Sequence, residues 1–99
     1  MINHVVLFKL KEYPEDEKKL VREKIKAALE ALKDKILELK HLEVGLNYQL
    51  NSKSYDICLI THFESIADLD IYRVHPGHLA VFDLNKETTV ERAAVDFRF

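Results

Sequence analysis

The chain has 99 residues, 47% of them hydrophobic and 32% charged, with a net charge of -2: too apolar for a disordered chain and the right size for one folded domain over residues 1–99. A negative balance with no basic stripe interleaved with aromatics excludes a nucleic-acid binder, and apolar runs such as Val5-Val6-Leu7-Phe8 fall far short of the roughly 20 residues that span a bilayer. The single cysteine, Cys58, forms no internal disulfide, and Met1-Ile2-Asn3-His4 lacks the basic start of a signal peptide, so a cytoplasmic protein is expected.

From Ile2 to Leu10 the residues alternate, with Ile2, His4, Val6, Phe8 and Leu10 on one face and Asn3, Val5, Leu7 and Lys9 on the other. Both faces carry apolar side chains, so both need cover. Pro14 then suits the first turn of a helix, and Glu15, Asp16 and Glu17 complement its positive end. Val21, Ile25, Ala28, Leu32, Ile36 and Leu39 recur at steps of three and four, which predicts one long helix with Lys18, Arg22, Lys26, Glu30 and Lys33 mostly toward water. His41 reads as a histidine near that helix's end.

Leu42, Val44, Leu46, Tyr48 and Leu50 alternate with polar residues and predict a second strand, and Asn51-Ser52-Lys53-Ser54 supplies a hairpin turn. A third strand over Tyr55 to Phe63 places Tyr55, Ile57, Leu59, Thr61 and Phe63 on one face, with Asp56, Cys58, Ile60 and His62 on the other. Ser65 and Asp68 have the spacing of a capping box for a helix from Ile66 to about Val74. His75-Pro76 breaks that helix, and a second one restarts at Pro76 and runs to about Asn85. Thr88 to Phe99 is the last strand, with Val95, Phe97 and Phe99 on one face.

Four strands with helices on one side make an α+β layer pair, most simply a ferredoxin-like four-stranded antiparallel sheet. Val5, Leu7, Cys58 and Ile60 then have no helix to cover them, and two sheets packed face to face about a twofold axis solve this most economically. The expected partner is therefore a second copy of the chain.

Several segments together resemble the stress-responsive A/B barrel, or Dabb, domain. They are His4 with Val5-Val6-Leu7-Phe8-Lys9, Leu42-Glu43-Val44-Gly45, Ser54-Tyr55-Asp56, Phe63-Glu64-Ser65 and, most specifically, Tyr72-x-x-His75-Pro76-x-His78. The resemblance implies a dimeric α+β barrel. It covers stress proteins, proteins without an assigned activity, and a polyketide cyclase branch that closes rings by aldol chemistry. In that branch the motif's tyrosine and second histidine do acid/base work, which maps to Tyr72 and His78, with His4 as a further pocket residue. The same branch has a histidine where this chain has Ile57, so one polar pocket group is absent.

Two readings stand for Tyr72 and His78. In one they face a ligand, with His78 as a general base kept neutral by the positive end of the second helix and Tyr72 polarising a carbonyl. In the other they are fold residues that satisfy backbone groups across the helix break. His4 is either a hydrogen-bonded core histidine or a pocket wall. His75 and Pro76 are read as structural, His75 capping the short helix. His62 is read as forming a hydrogen bond in the dimer face and Cys58 as a small buried hydrophobe.

Two histidines without converging companions make no zinc site, so no metal and no cofactor are expected. The leading expectation is a homodimer with a mostly apolar pocket in each protomer, lined by His4, Val6, Phe8, Ile57, Leu59, Tyr72 and His78. That pocket would take a small carbonyl or phenolic compound, for cofactor-free aldol, cyclase or lyase chemistry. The alternatives are a structural or stress-protective dimer and a module that binds a metabolite without transforming it.

Overall fold

The computed structural model describes residues 1–48 and 54–99. Its elements run β1 (Ile2–Leu10), α1 (Glu15–Glu30), β2 (His41–Leu46), β3 (Ile57–Phe63), α2 (Ile66–Val74), α3 (Pro76–Thr88) and β4 (Thr89–Arg98). The sheet has the order β2-β3-β1-β4 with every neighbouring pair antiparallel, which is the ferredoxin-like arrangement expected. None of the described helices is long and apolar enough to cross a membrane.

The period-two pattern of β1 decides the layering. Ile2, His4, Val6, Phe8 and Leu10 are buried beneath the helices, while the alternate residues are only partly covered. On β3, Ile57, Leu59, Thr61 and Phe63 are buried on the same side. Ile25 and Leu29 of α1, Leu69 and Tyr72 of α2 and Val81 of α3 close the core above them. Each such side chain contributes about 1.5–3 kcal/mol by leaving water. Val95, Phe97 and Phe99 lie at 55%, 45% and 59% exposure on the opposite face, beside Val5 and Leu7, so the apolar surface there is large and uncovered in the single chain.

The first helix is shorter than its periodicity predicts. It gives way after Glu30 to a 3-10 turn, Ala31–Asp34, and then to further tight turns closed by Ile36 N–H to Leu32 O and Leu39 N–H to Ile36 O. Leu32, Ile36 and Leu39 nevertheless stay buried, because successive tight turns preserve the three- and four-residue spacing that puts them inward. His41 opens β2 instead of ending a helix. The strand expected to reach Leu50 is described only to Leu46; Leu50 and the turn residues Asn51, Ser52 and Lys53 lie outside the described residues.

Two other expectations are corrected by one residue, Asp56. The third strand starts at Ile57, not Tyr55, and Asp56 is buried instead of facing the open side. Its Oδ2 accepts from Leu10 N–H at 2.8 Å and its Oδ1 meets Lys18 Nζ at 3.1 Å, so it closes the end of β1 and ties α1 to the sheet. Lys18 and Arg22 thus leave the solvated face: Arg22 Nη2 donates to Asn47 O at 2.6 Å. Removing the buried acceptor orphans Leu10 N–H and unpairs Lys18. Asp56→Ala is expected to lose about 2–3 kcal/mol of stability in denaturant titrations, while Glu15→Gln on the exposed first turn stays near wild type.

Candidate functional site

The site begins at the helix break. Pro76 has no N–H, so the carbonyl of Tyr72 takes a bond from His75 N–H at 3.2 Å, and His75 adopts extended dihedrals (φ -65°, ψ 135°). Gly77 N–H, which a continuous helix would direct to Arg73 O, instead donates to His75 Nδ1 at 3.0 Å and is capped by it. The Arg73 carbonyl is therefore left for a different donor. His78 Nδ1 fills that role at 3.1 Å. Because a carbonyl only accepts, Nδ1 carries the proton, and in the neutral ring the basic lone pair is on Nε2.

Burial pushes the His78 pKa below the ordinary histidine range. The Arg73 backbone bond opposes that shift, and His4, Arg92 and Arg73 add to it electrostatically. Burial is thus the largest of these causes, and it favours the neutral imidazole.

Tyr72 is fully buried, its ring 4.4 Å from that of His78, 5.0 Å from Phe63 and 6.4 Å from His4. Its hydroxyl has no hydrogen-bond partner among the described residues. An orphaned buried hydroxyl costs about 1–3 kcal/mol. Burial raises its pKa to about 12, against a smaller opposing effect of Arg92, so the phenol is a donor throughout the physiological range.

The third group is His4, buried on the helix-facing side of β1. Its Nδ1 donates to Asp96, its register partner on β4, and its carbonyl accepts from Thr61 Oγ1 at 3.0 Å. Asp96 is held in turn by Arg73 Nη2 at 3.2 Å, while Arg73 Nη1 meets Asp70 at 3.1 Å. Arg73 therefore orients both histidines: its guanidinium steadies the carboxylate behind His4, and its carbonyl fixes the tautomer of His78. Neither Asp96 nor Arg73 is singled out by sequence reasoning. The signal for Asp96 is the β4 alternation, since an acid between Val95 and Phe97 must point away from the exposed aromatic face and toward the helices.

These groups meet in a cavity of about 570 Å³ between sheet and helices, lined by His4, Val6, Phe8, Leu59, Tyr72 and His78 together with the α3 residues Val81, Phe82 and Asn85 and the β4 residue Arg92. That volume is in the range of small-molecule sites. Ile57, expected as a pocket wall, does not line it. Ile57 pairs with Phe8 and Leu46 on the β2 side of the sheet and is packed into the core at 1% exposure, whereas the cavity extends toward β4.

The remaining expected residues lie elsewhere. His62 stacks on His41 at 4.5 Å and against Phe99 at 4.6 Å, on the uncovered face of the sheet, and burial followed by the charge of His41 lowers its pKa. Burial raises the Cys58 thiol, with Glu43 adding to the shift, which suits an unreactive side chain. Among the described residues no group of three or more His, Cys, Asp or Glu side chains is placed to hold a metal ion.

No curated protein matches the chain. Among solved structures it is similar to a dimeric protein of unknown function with a ferredoxin-like fold from Bacteroides fragilis, at 38% identity and a TM-score of 0.89 over 99% of this chain and 95% of that one. It is also similar to a dimeric ferredoxin-like protein of unknown function from Thermobifida fusca, at 26% identity and a TM-score of 0.84 over 99% and 90% of the two chains. The hydroxynitrile lyase of Passiflora edulis shares the fold at 15% identity, with a TM-score of 0.80 over 97% and 90%. The model of the stress responsive A/B barrel domain matches residues 2–99, and the chain belongs to that family.

Proposed function

We propose that the protein binds a small carbonyl or phenolic compound in the cavity and moves a proton at the carbon next to the carbonyl, without a cofactor. The observation that carries this reading is the pair formed by Tyr72 and His78: a buried hydroxyl that lacks an acceptor among the described residues, beside an imidazole whose neutral tautomer is fixed by the Arg73 carbonyl, on an apolar cavity. In this reading His78 Nε2 takes the proton, Tyr72 donates a hydrogen bond to the oxygen that becomes an enolate, and the imidazolium returns the proton after the carbon–carbon bond is made or broken.

The uncovered sheet face is proposed to pack against a second copy. Val5, Leu7, Cys58, Ile60, Val95 and Phe97 share one side of β1, β3 and β4, and the Bacteroides and Thermobifida structures of the same fold are dimeric. Phe97→Glu places a charge in that face. Wild type is expected to sediment at twice the chain mass and the variant as a monomer; a variant that stays dimeric contradicts the assigned face.

Proton abstraction is tested by following loss of the α-proton NMR signals of an aryl alkyl ketone in D2O. Wild type is expected to accelerate exchange, and His78→Ala to lose roughly a hundredfold or more of that rate while remaining dimeric. A metabolite-binding module shows ligand-induced stabilisation without exchange. The depressed pKa of His78 also fixes the sign of two pH effects. The acid limb of the exchange rate is expected below about 6.5. Stability from the neutral ring is full above that value and is lost as pH falls toward the depressed folded value, because the unfolded chain then binds the extra proton. His78→Gln is expected to flatten this fall in melting temperature.

A further inference from the structure

The cavity carries positive charge that the proposed proton transfer does not use, although the chain as a whole is negative. Three cationic residues line it: Arg73, Lys86 and Arg92. Arg73 is accounted for by Asp70 and Asp96. Glu91, the acid at the rim, is the register partner of Lys9, and its carboxylate is reached by the Tyr55 hydroxyl at 3.5 Å. Lys86, exposed in the last turn of α3, is also unpaired among the described residues; Arg92 is set apart by its place on the sheet. Its register partner is Phe8, a buried residue of the helix-facing side, so Arg92 stands on the cavity side of β4. Its charge is felt by both Tyr72 and His78. Its guanidinium has no hydrogen bond or ion pair among the described residues.

An exposed arginine alone is ordinary surface chemistry. Here, however, two residues lining the same cavity, Tyr72 and Asn85, each carry a buried polar atom, the hydroxyl and Oδ1, that has no hydrogen-bond partner among the described residues. A guanidinium offers a planar fork that matches a carboxylate, and hydrogen bonds between charged groups gain strength beside an apolar wall.

We propose that Arg92 is a specificity residue that anchors a carboxylate, so that the compound taken by this cavity is an oxo acid. Its carbonyl is directed at Tyr72 and His78, and its apolar body lies against Phe8, Leu59 and Phe82. This rests on the proton-transfer reading for the position of the carbonyl, but the anion site is separable from it. The carboxylate keeps its charge throughout and takes part in no bond change; it orients the carbon from which His78 removes a proton.

The test compares 4-oxo-4-phenylbutanoate with its neutral primary amide by titration calorimetry on wild type, Arg92→Gln and His78→Ala. Wild type is expected to bind the acid about tenfold to a hundredfold more tightly than the amide, with the difference shrinking as salt is raised. Arg92→Gln is expected to erase that preference while leaving amide affinity unchanged, and His78→Ala to retain it. Equal affinity of wild type for the two compounds, no binding of the acid at millimolar concentration, or a preference that survives in Arg92→Gln overturns the assignment. Because the acid also carries an exchangeable α-methylene, the two readings separate. Acid preference without exchange upholds the anion site and sinks proton abstraction, whereas exchange without acid preference does the reverse.

Discussion

Much of the site follows from one missing hydrogen. Pro76 cannot donate to Tyr72 O, so α2 ends, His75 turns extended and caps Gly77, and the Arg73 carbonyl is released from the backbone ladder. That carbonyl then sets the tautomer of His78. A continuous helix over residues 66–88 would commit the same carbonyl to Gly77 N–H and leave the imidazole without its guide. The motif Tyr72-x-x-His75-Pro76-x-His78 is therefore one mechanical unit in which proline creates a vacancy, the first histidine stabilises the break, and the second histidine occupies the vacancy.

Around this unit the fold divides its labour between the two faces of one sheet. The helix-facing side supplies an apolar chamber in which burial can act on ionisation: it lowers His78 and raises Tyr72, so a base and a donor coexist in their neutral forms. The opposite side carries apolar and aromatic side chains in the open and is the face proposed for a second copy. β1 belongs to both. Its alternation places His4 in the chamber and Val5 on the open face, so a slip of one residue in register would exchange their environments and destroy both at once. The latch made by Asp56 at the end of β1 opposes such a slip.

The layer order and strand faces are legible in the chain because period two and period 3.6 are properties of neighbours in sequence. The helix break is legible for the same reason, since Pro76 acts on the residues directly before it. The length of α1 is not: Leu32, Ile36 and Leu39 keep helical spacing while the backbone tightens into 3-10 and single turns, and spacing alone does not separate the two. The roles of Asp56, Asp96 and Arg73 are not legible because their partners are remote, at separations of 46, 92 and 23 residues for the bonds Leu10 to Asp56, His4 to Asp96 and Arg73 to Asp96. Ile57 shows the opposite failure. It shares a face with Leu59 as its alternation says, yet the chamber extends toward β4 and leaves Ile57 in packed core.

The proposed chemistry depends first on the state of the His78 ring. Nitrogen NMR of the histidine-labelled protein at pH 7, assigned by comparison with His78→Gln, reads which ring nitrogens carry protons. The predicted result for His78 is a neutral imidazole protonated at Nδ1, with an unprotonated Nε2 whose signal moves when an aryl ketone binds. A ring protonated at Nε2 alone, or an imidazolium at that pH, would mean that the released carbonyl does not govern the base, and the proposed chemistry would lose its foundation.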